Sequence, residues 1–116
     1  MGLRFSHGDA CWSYSGFMHF RKKLAMDAMG IELNKMVGFG PEANRSWEHI
    51  KNPLVTLLNH SDCDGWILPR DCKAIEPLLR EAVSHWPDNH YDKKMALRLA
   101  DGMKKAAKTK RGLEFR

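Results

Sequence analysis

The chemically richest stretch of the chain is 59–67, which reads Asn-His-Ser-Asp-Cys-Asp-Gly-Trp-Ile. Here His60, Asp62 and Asp64 bring one imidazole and two carboxylates close together, and such groups can hold a divalent cation or activate a water molecule. Three uses remain open. The side chains can bind an ion, they can form a catalytic site around His60, or they can belong to an ordinary turn in which carboxylates cap backbone groups and Gly65 supplies a positive φ.

The segment from His60 to Asp71 resembles the twelve-residue calcium loop of an EF-hand. Asp62, Asp64 and Gly65 match the two inner acids and the glycine of that pattern, and Asp71 stands where the final acid is expected. His60 takes the first position, where an aspartate is usual, so a transition metal would suit the loop better than calcium. The resemblance implies a divalent ion (calcium, magnesium or a transition metal) held by His60, Asp62, Asp64 and Asp71.

A second polar cluster lies around the start of the first predicted helix. It combines hydroxyls, an imidazole, two aromatic rings and a guanidinium, which are typical components of a site for a phosphate-bearing or aromatic ligand. Together with Asn59 and His60, the candidate ligand-binding residues are Ser6, His7, Trp12, Ser13, Tyr14 and Arg21. Each also has an ordinary use: Trp12 can pack, the serines can cap a helix, and Arg21 can pair with Asp62.

We expect the two polar clusters to meet at one cleft. Charged side chains placed this densely between apolar helices must converge on water, an ion, a ligand or each other, because burying them unpaired is costly. The residues predicted to line this common cleft are His60, Asp62, Asp64, Ser6, His7 and Arg21.

The cysteines give little chemistry of their own. Cys11, Cys63 and Cys72 show none of the usual zinc spacings, and reduced thiols are expected. A nucleophilic cysteine would need a base such as His60 beside it.

Hydrophobic periodicity predicts the elements that position these residues. The fold class is mainly α: a small single-domain bundle of about four helices spanning 1–116, with a polar loop at 59–67 and at most one or two short strands. The first helix is capped by Ser13 or Ser15 and stops at Gly30, and a short second helix covers 54–58.

The third and fourth helices are predicted to begin at prolines. Pro69 opens the third, in which Pro77 predicts a break or kink, and Pro87 opens the fourth. The predicted core is the set of positions where helical period and apolar type agree: Phe17, Phe20, Leu24, Leu54, Leu57, Leu58, Ile75, Leu79, Val83, Met95 and Leu99.

The net charge of +5 is concentrated near the carboxyl end. Residues 1–101 carry 13 basic and 13 acidic side chains, whereas 102–116 carry six basic side chains against Glu114. A basic tail is therefore expected from about 104, and it is the one part of the chain through which nucleic acid could bind. No apolar run suggests a membrane span, and a cytoplasmic location is expected.

Two blocks, Trp12–Phe17 and Leu57–Gly65, resemble a family of small uncharacterised proteins encoded by bacteriophages and some bacterial genomes, and the likeness extends to Leu113–Phe115. The resemblance implies a phage or prophage setting and a host-cell cytoplasmic location. We expect an accessory protein that captures a small anionic, nucleotide-like ligand or a host protein, without catalysis, to counter host functions or defence. The alternative is a metal-dependent hydrolase or nuclease using His60, Asp62 and Asp64.

Overall fold

Four α-helices and four very short strands form the fold in the computed structural model, which describes residues 2–41 and 43–116. The helices are α1 (Tyr14–Met29), α2 (Leu54–Leu58), α3 (Pro69–Val83) and α4 (Tyr91–Ala106), and the strands are β1 (Leu3–Arg4), β2 (Cys11–Trp12), β3 (Trp66–Ile67) and β4 (Leu113–Glu114). A single 3₁₀ turn covers Leu33–Lys35 in the described part of the chain. The mainly α prediction is confirmed, although the strands outnumber the one or two expected.

Local signals fix both ends of α1. Ser13 is the N-cap, where its Oγ accepts the N–H of Gly16 at 3.0 Å. Gly30 ends the helix in the left-handed region, with φ 63°. Between these caps, Phe17, Phe20 and Leu24 are fully buried, as their helical spacing predicts.

The helices α3 and α4 pack against each other more extensively than any other two helices, and both differ from expectation at one point. The predicted break at Pro77 does not occur, since α3 continues through this residue, whose ring is exposed. The start of α4 lies at Tyr91 rather than Pro87, because Pro87 begins a turn that His90 closes. His90 Nδ1 then accepts the N–H of Asp92 at 3.2 Å and caps the helix.

The strands form two antiparallel pairs, β1 with β2 and β3 with β4. An isolated bridge between Phe5 and Phe115 joins the pairs, and the Ser6 N–H donates to the Glu114 carbonyl oxygen at 2.9 Å. The segment 113–115 is thus built into the fold rather than forming part of a free basic tail. Two-residue strands show no alternation of apolar and polar residues, which explains why periodicity misses them.

All of the predicted core residues are buried. The core also takes in aromatic side chains that periodicity does not detect, since they lie outside the helices. Trp12 stacks on Phe20 with ring centroids 4.7 Å apart, and Phe115 meets the edge of Phe5 at 4.9 Å. None of the helices in the described part of the chain combines the length and apolar character that a membrane crossing needs.

Candidate functional site

A cleft of about 400 Å³ lies between α1, the turn at 38–39 and the loop at 59–62. We call it the Arg21 cleft. It brings together four of the residues predicted to form a site, namely Arg21, Asn59, His60 and Asp62, and its other lining residues are Met18, Gly38, Phe39 and Ser61.

Arg21 is the most unusual residue of this cleft, because its side chain is only 2% exposed. It lies on α1 next to Phe20 and one turn after Phe17, so the apolar face of the helix carries it inward. Its Nη1 donates to the carbonyl oxygens of Leu58 at 3.2 Å and His60 at 2.6 Å. The guanidinium carbon lies 4.7 Å from the ring centre of Phe17 and 5.3 Å from that of Phe39. Two aromatic faces and two carbonyl groups therefore hold the guanidinium in place.

The other edge of the Arg21 guanidinium has no partner among the described residues. Nε is buried without a hydrogen bond, and neither Nε nor Nη2 donates to a described residue. Burial lowers the pKa of Arg21 from its ordinary value, while the charge of Asp62 acts in the opposite direction. No ion pair joins the two side chains within 4 Å, so the arginine remains a buried cation with spare donors.

Lys93 shows what a purely structural buried cation looks like in this fold. Its Nζ donates to the carbonyl oxygens of Ser84 at 3.0 Å and Trp86 at 2.8 Å, and to Oδ1 of Asp88 at 2.7 Å. These three partners use all three donors of an ammonium group. Arg21 differs because its hydrogen-bonding capacity is only partly used.

His60 is half-buried, and its ring has contacts on one face and at both nitrogens. Its ring stacks on Phe115 with centroids 4.0 Å apart. Nδ1 lies 2.9 Å from the carbonyl oxygen of Ser61, and Nε2 lies 3.1 Å from that of Trp66. Each ring nitrogen thus faces an acceptor instead of a free position where a metal ion or a reacting proton could be placed. The imidazole fixes the loop.

The predicted metal site receives no support. Within 2–41 and 43–116, no group of three or more His, Cys, Asp or Glu side chains converges as a metal ion would require. Asp64 is exposed and Asp71 lies in the first turn of α3, where a carboxylate stabilises the helix end. Gly65 has φ 92°, as expected for a turn. The side chain that caps this turn is Ser61, whose Oγ accepts the N–H of Cys63, and not Asp62 or Asp64.

Of the second cluster only Arg21 is among the residues that line the cleft with His60 and Asp62, so the expected convergence holds for Arg21 and is wrong for Ser6 and His7. Ser6 Oγ accepts the N–H of Glu114 at 2.9 Å and lies 2.8 Å from His7 Nδ1. Trp12 is buried and its Nε1 donates to Asp92 at 3.0 Å, while Ser13 caps α1. Tyr14 is 38% exposed on the first turn of α1. Trp12 and Ser13 thus have the ordinary uses considered above, packing in the core and capping a helix.

Sequence reasoning missed Met18, Gly38 and Phe39 as site residues. The signal that could have found them is the run Gly38-Phe39-Gly40, an aromatic residue between two glycines. Phe39 packs edge-on against Trp47 at 5.8 Å, and Trp47 Nε1 donates to the Val37 carbonyl oxygen at 3.0 Å. Those interactions hold Phe39 beside Arg21.

The cysteines can be distinguished by their reactivity. Cys72 is buried, and burial is the main factor that raises the pKa of its thiol to about 11. Cys63 is exposed.

In native protein near pH 8 we expect a maleimide to label Cys63 within minutes and to label Cys72 only after unfolding in urea. Peptide mass spectrometry of timed samples measures this, and equal native rates at both thiols would contradict the buried position of Cys72.

Comparison of the chain with protein-family models, with curated proteins and with solved structures found no match.

Proposed function

We propose that this protein is a binding protein that captures a small anionic, nucleotide-like ligand in the Arg21 cleft, without catalysis. One observation carries the proposal. A nearly fully buried arginine lines an open cleft and keeps one edge of its guanidinium without a partner among the described residues. A buried cation destabilises a fold unless its donors are used. A bound anion would accept hydrogen bonds from the unused donors and offset this cost.

The unpartnered edge has the right chemistry for an anion. Nε–H and Nη2–H point in the same direction, and such an edge matches two oxygens of a carboxylate or a phosphate, so the ligand must reach an Nε that is buried in the free protein. The stacking against Phe17 and Phe39 fixes the plane of the guanidinium before a ligand arrives. Such preorganisation increases affinity, because less of the side chain has to be ordered on binding.

The rest of the lining favours an organic anion over a bare ion. Asn59 and Ser61 are exposed at the cleft and can exchange hydrogen bonds with a ligand, while Met18 and Phe39 offer apolar surface to a ring. The volume of about 400 Å³ is at the lower end of the range for small-molecule sites. A ligand with one phosphate or carboxylate and one small ring system fits this combination.

Capture is favoured over hydrolysis because both ring nitrogens of His60 lie against backbone carbonyl oxygens, where a base would need one of them directed at the ligand. The wider role that we propose, a phage-type accessory function directed at a host component, rests on the resemblance described for Trp12–Phe17 and Leu57–Gly65. The second of these blocks contributes Asn59 to Asp62 to the cleft.

Charge substitutions at the cleft should have opposite effects on ligand affinity. For the tightest binder among inorganic phosphate and linear and cyclic nucleoside monophosphates, Arg21→Met should weaken binding on the order of a hundredfold, because charge-assisted hydrogen bonds are removed. Asp62→Asn should strengthen binding about threefold, because a like charge near the anion is removed. Asp64→Asn, which changes an exposed carboxylate outside the cleft lining, should leave affinity unchanged. Isothermal calorimetry measures all three.

Two further measurements check that the variant remains folded and that the ligand is not hydrolysed. Thermal unfolding should show Arg21→Met within about 1 kcal/mol of the wild type, since an apolar side chain of similar length replaces a buried charge. Denaturing the loaded protein should release the nucleotide intact. Unchanged affinity in Arg21→Met, or weaker binding in Asp62→Asn, would refute anion capture here, and a hydrolysed nucleotide would point to the enzyme alternative.

A further inference from the structure

A second surface with distinct chemistry lies at the β3–β4 pair. Trp66, Leu68, Lys110 and Arg111 line an open depression of about 380 Å³, which we call the Trp66 surface. Trp66 is 39% exposed and Leu68 is 48% exposed, whereas Trp12 and Trp86 are each only 3% exposed. An indole ring left in water at a depression flanked by cations is unusual enough to need an explanation.

The backbone that carries Trp66 is tightly held. Trp66 pairs with Glu114 in the antiparallel ladder, and its carbonyl oxygen faces His60 Nε2 at 3.1 Å. The guanidinium carbon of Arg111 lies 5.8 Å from the Trp66 ring centre, which leaves the ring only partly covered. The surface therefore presents an aromatic face on a fixed support, with a cation beside it.

The charge around this surface is not neutralised by neighbouring acids. Glu114, the acidic residue of 102–116, is paired with Arg116 at 2.9 Å. Among the described residues, no carboxylate lies within 4 Å of the five other basic side chains of this segment, which are Lys104, Lys105, Lys108, Lys110 and Arg111. Lys73 and Glu76 on α3 line a separate depression together with Lys104 and Lys108.

We propose that the Trp66 surface binds single-stranded nucleic acid. An unstacked base can stack on the Trp66 ring, and the phosphates on either side can pair with Lys110 and Arg111. A duplex fits less well, because its bases are already stacked on each other. A membrane surface also fits less well, since it needs a broad apolar face and only two apolar side chains line this depression. This activity is separate from ligand capture at Arg21.

The test is fluorescence anisotropy with a labelled deoxythymidine oligonucleotide of about 15 residues, at low salt, on the full chain. Lys110→Ala/Arg111→Ala should weaken binding at least about tenfold. It should also flatten the plot of log affinity against log salt by about 0.7 for each phosphate that the protein no longer neutralises. Trp66→Ala should weaken binding at least about fivefold without changing that slope, because stacking does not release counterions. Lys51→Ala/Lys94→Ala removes two exposed charges elsewhere and should weaken binding less than threefold.

Each other outcome overturns the proposal. If the control pair weakens binding as much as the surface pair, the attraction comes from net charge alone. If Trp66→Ala binds as well as the wild type while remaining folded by circular dichroism, no base stacks there. If a duplex of the same length binds as tightly, or if vesicles with anionic lipids bind and the oligonucleotide does not, the partner is not a single strand. Loss of binding in Arg21→Met would assign the effect to the Arg21 cleft.

Discussion

Replacing Phe115 by alanine should lower the free energy of unfolding by about 3–5 kcal/mol, because a buried aromatic ring is deleted and a cavity remains. The ring is 2% exposed and lies against three others, with centroid distances of 4.0 Å to His60, 4.9 Å to Phe5 and 6.2 Å to Phe17. The whole free energy of unfolding of a 116-residue domain is about 6–17 kcal/mol, so the loss is a large share. Urea denaturation followed by circular dichroism measures it.

Phe39→Ala is the matched control for this change. It deletes the same atoms from a half-buried ring at the Arg21 cleft, where solvent can fill the space left behind. Its cost should be well below that of Phe115→Ala, about 1–2 kcal/mol. Equal costs for the two variants would mean that the segment 113–115 is not packed into the core as described.

Gly112→Ala should be the most destabilising single-methyl addition in the chain. Gly112 has φ +90°, and an added Cβ would overlap the carbonyl oxygen of Ile67 and lie 3.0 Å from backbone atoms of Leu68 and Pro69. All of these are backbone atoms, which cannot turn aside as the end of a flexible side chain can. We expect a loss of about 4 kcal/mol, which combines the conformational cost with that of overpacking.

Gly38→Ala separates the two causes. Gly38 has nearly the same φ, +96°, but an added Cβ would meet nothing within 4 Å. It should therefore cost only the conformational part, about 1–2 kcal/mol. The comparison uses chemical denaturation of both variants under identical conditions. A result in which Gly38→Ala costs as much as Gly112→Ala would show that close backbone packing at Ile67 is not what demands the glycine.

What the sequence predicts well is what local signals determine. Ser13 and Gly30 mark the ends of α1 because a cap and a stop act over a few residues, and helical spacing identifies every core residue that was predicted. The short strands and the docking of Phe115 depend on partners far along the chain. The spacing of residues within one strand does not show which distant strand or side chain it will contact.

The candidate site was predictable in part for the same reason. Arg21 and His60 stood out by type, but their roles depend on what faces them. The spacing of Asp62 and Asp64 matches a metal loop, yet spacing does not reveal that the imidazole of His60 turns toward two carbonyl oxygens. Phe39 contacts the guanidinium of Arg21 because the turn that carries it folds back against α1, and the spacing of residues in the sequence does not show this contact.

The pairing of β4 with β3 and the bridge from Phe115 to Phe5 also bear on synthesis. A nascent chain can form α1 as soon as its own residues emerge, since the interactions within a helix are local. The loop that carries His60, however, lacks its stacking partner until residue 115 has left the ribosome. The proposed binding at the Arg21 cleft should therefore appear only after residue 115 has emerged. A truncated product without 113–115 should expose its aromatic core and become a target for cellular proteases.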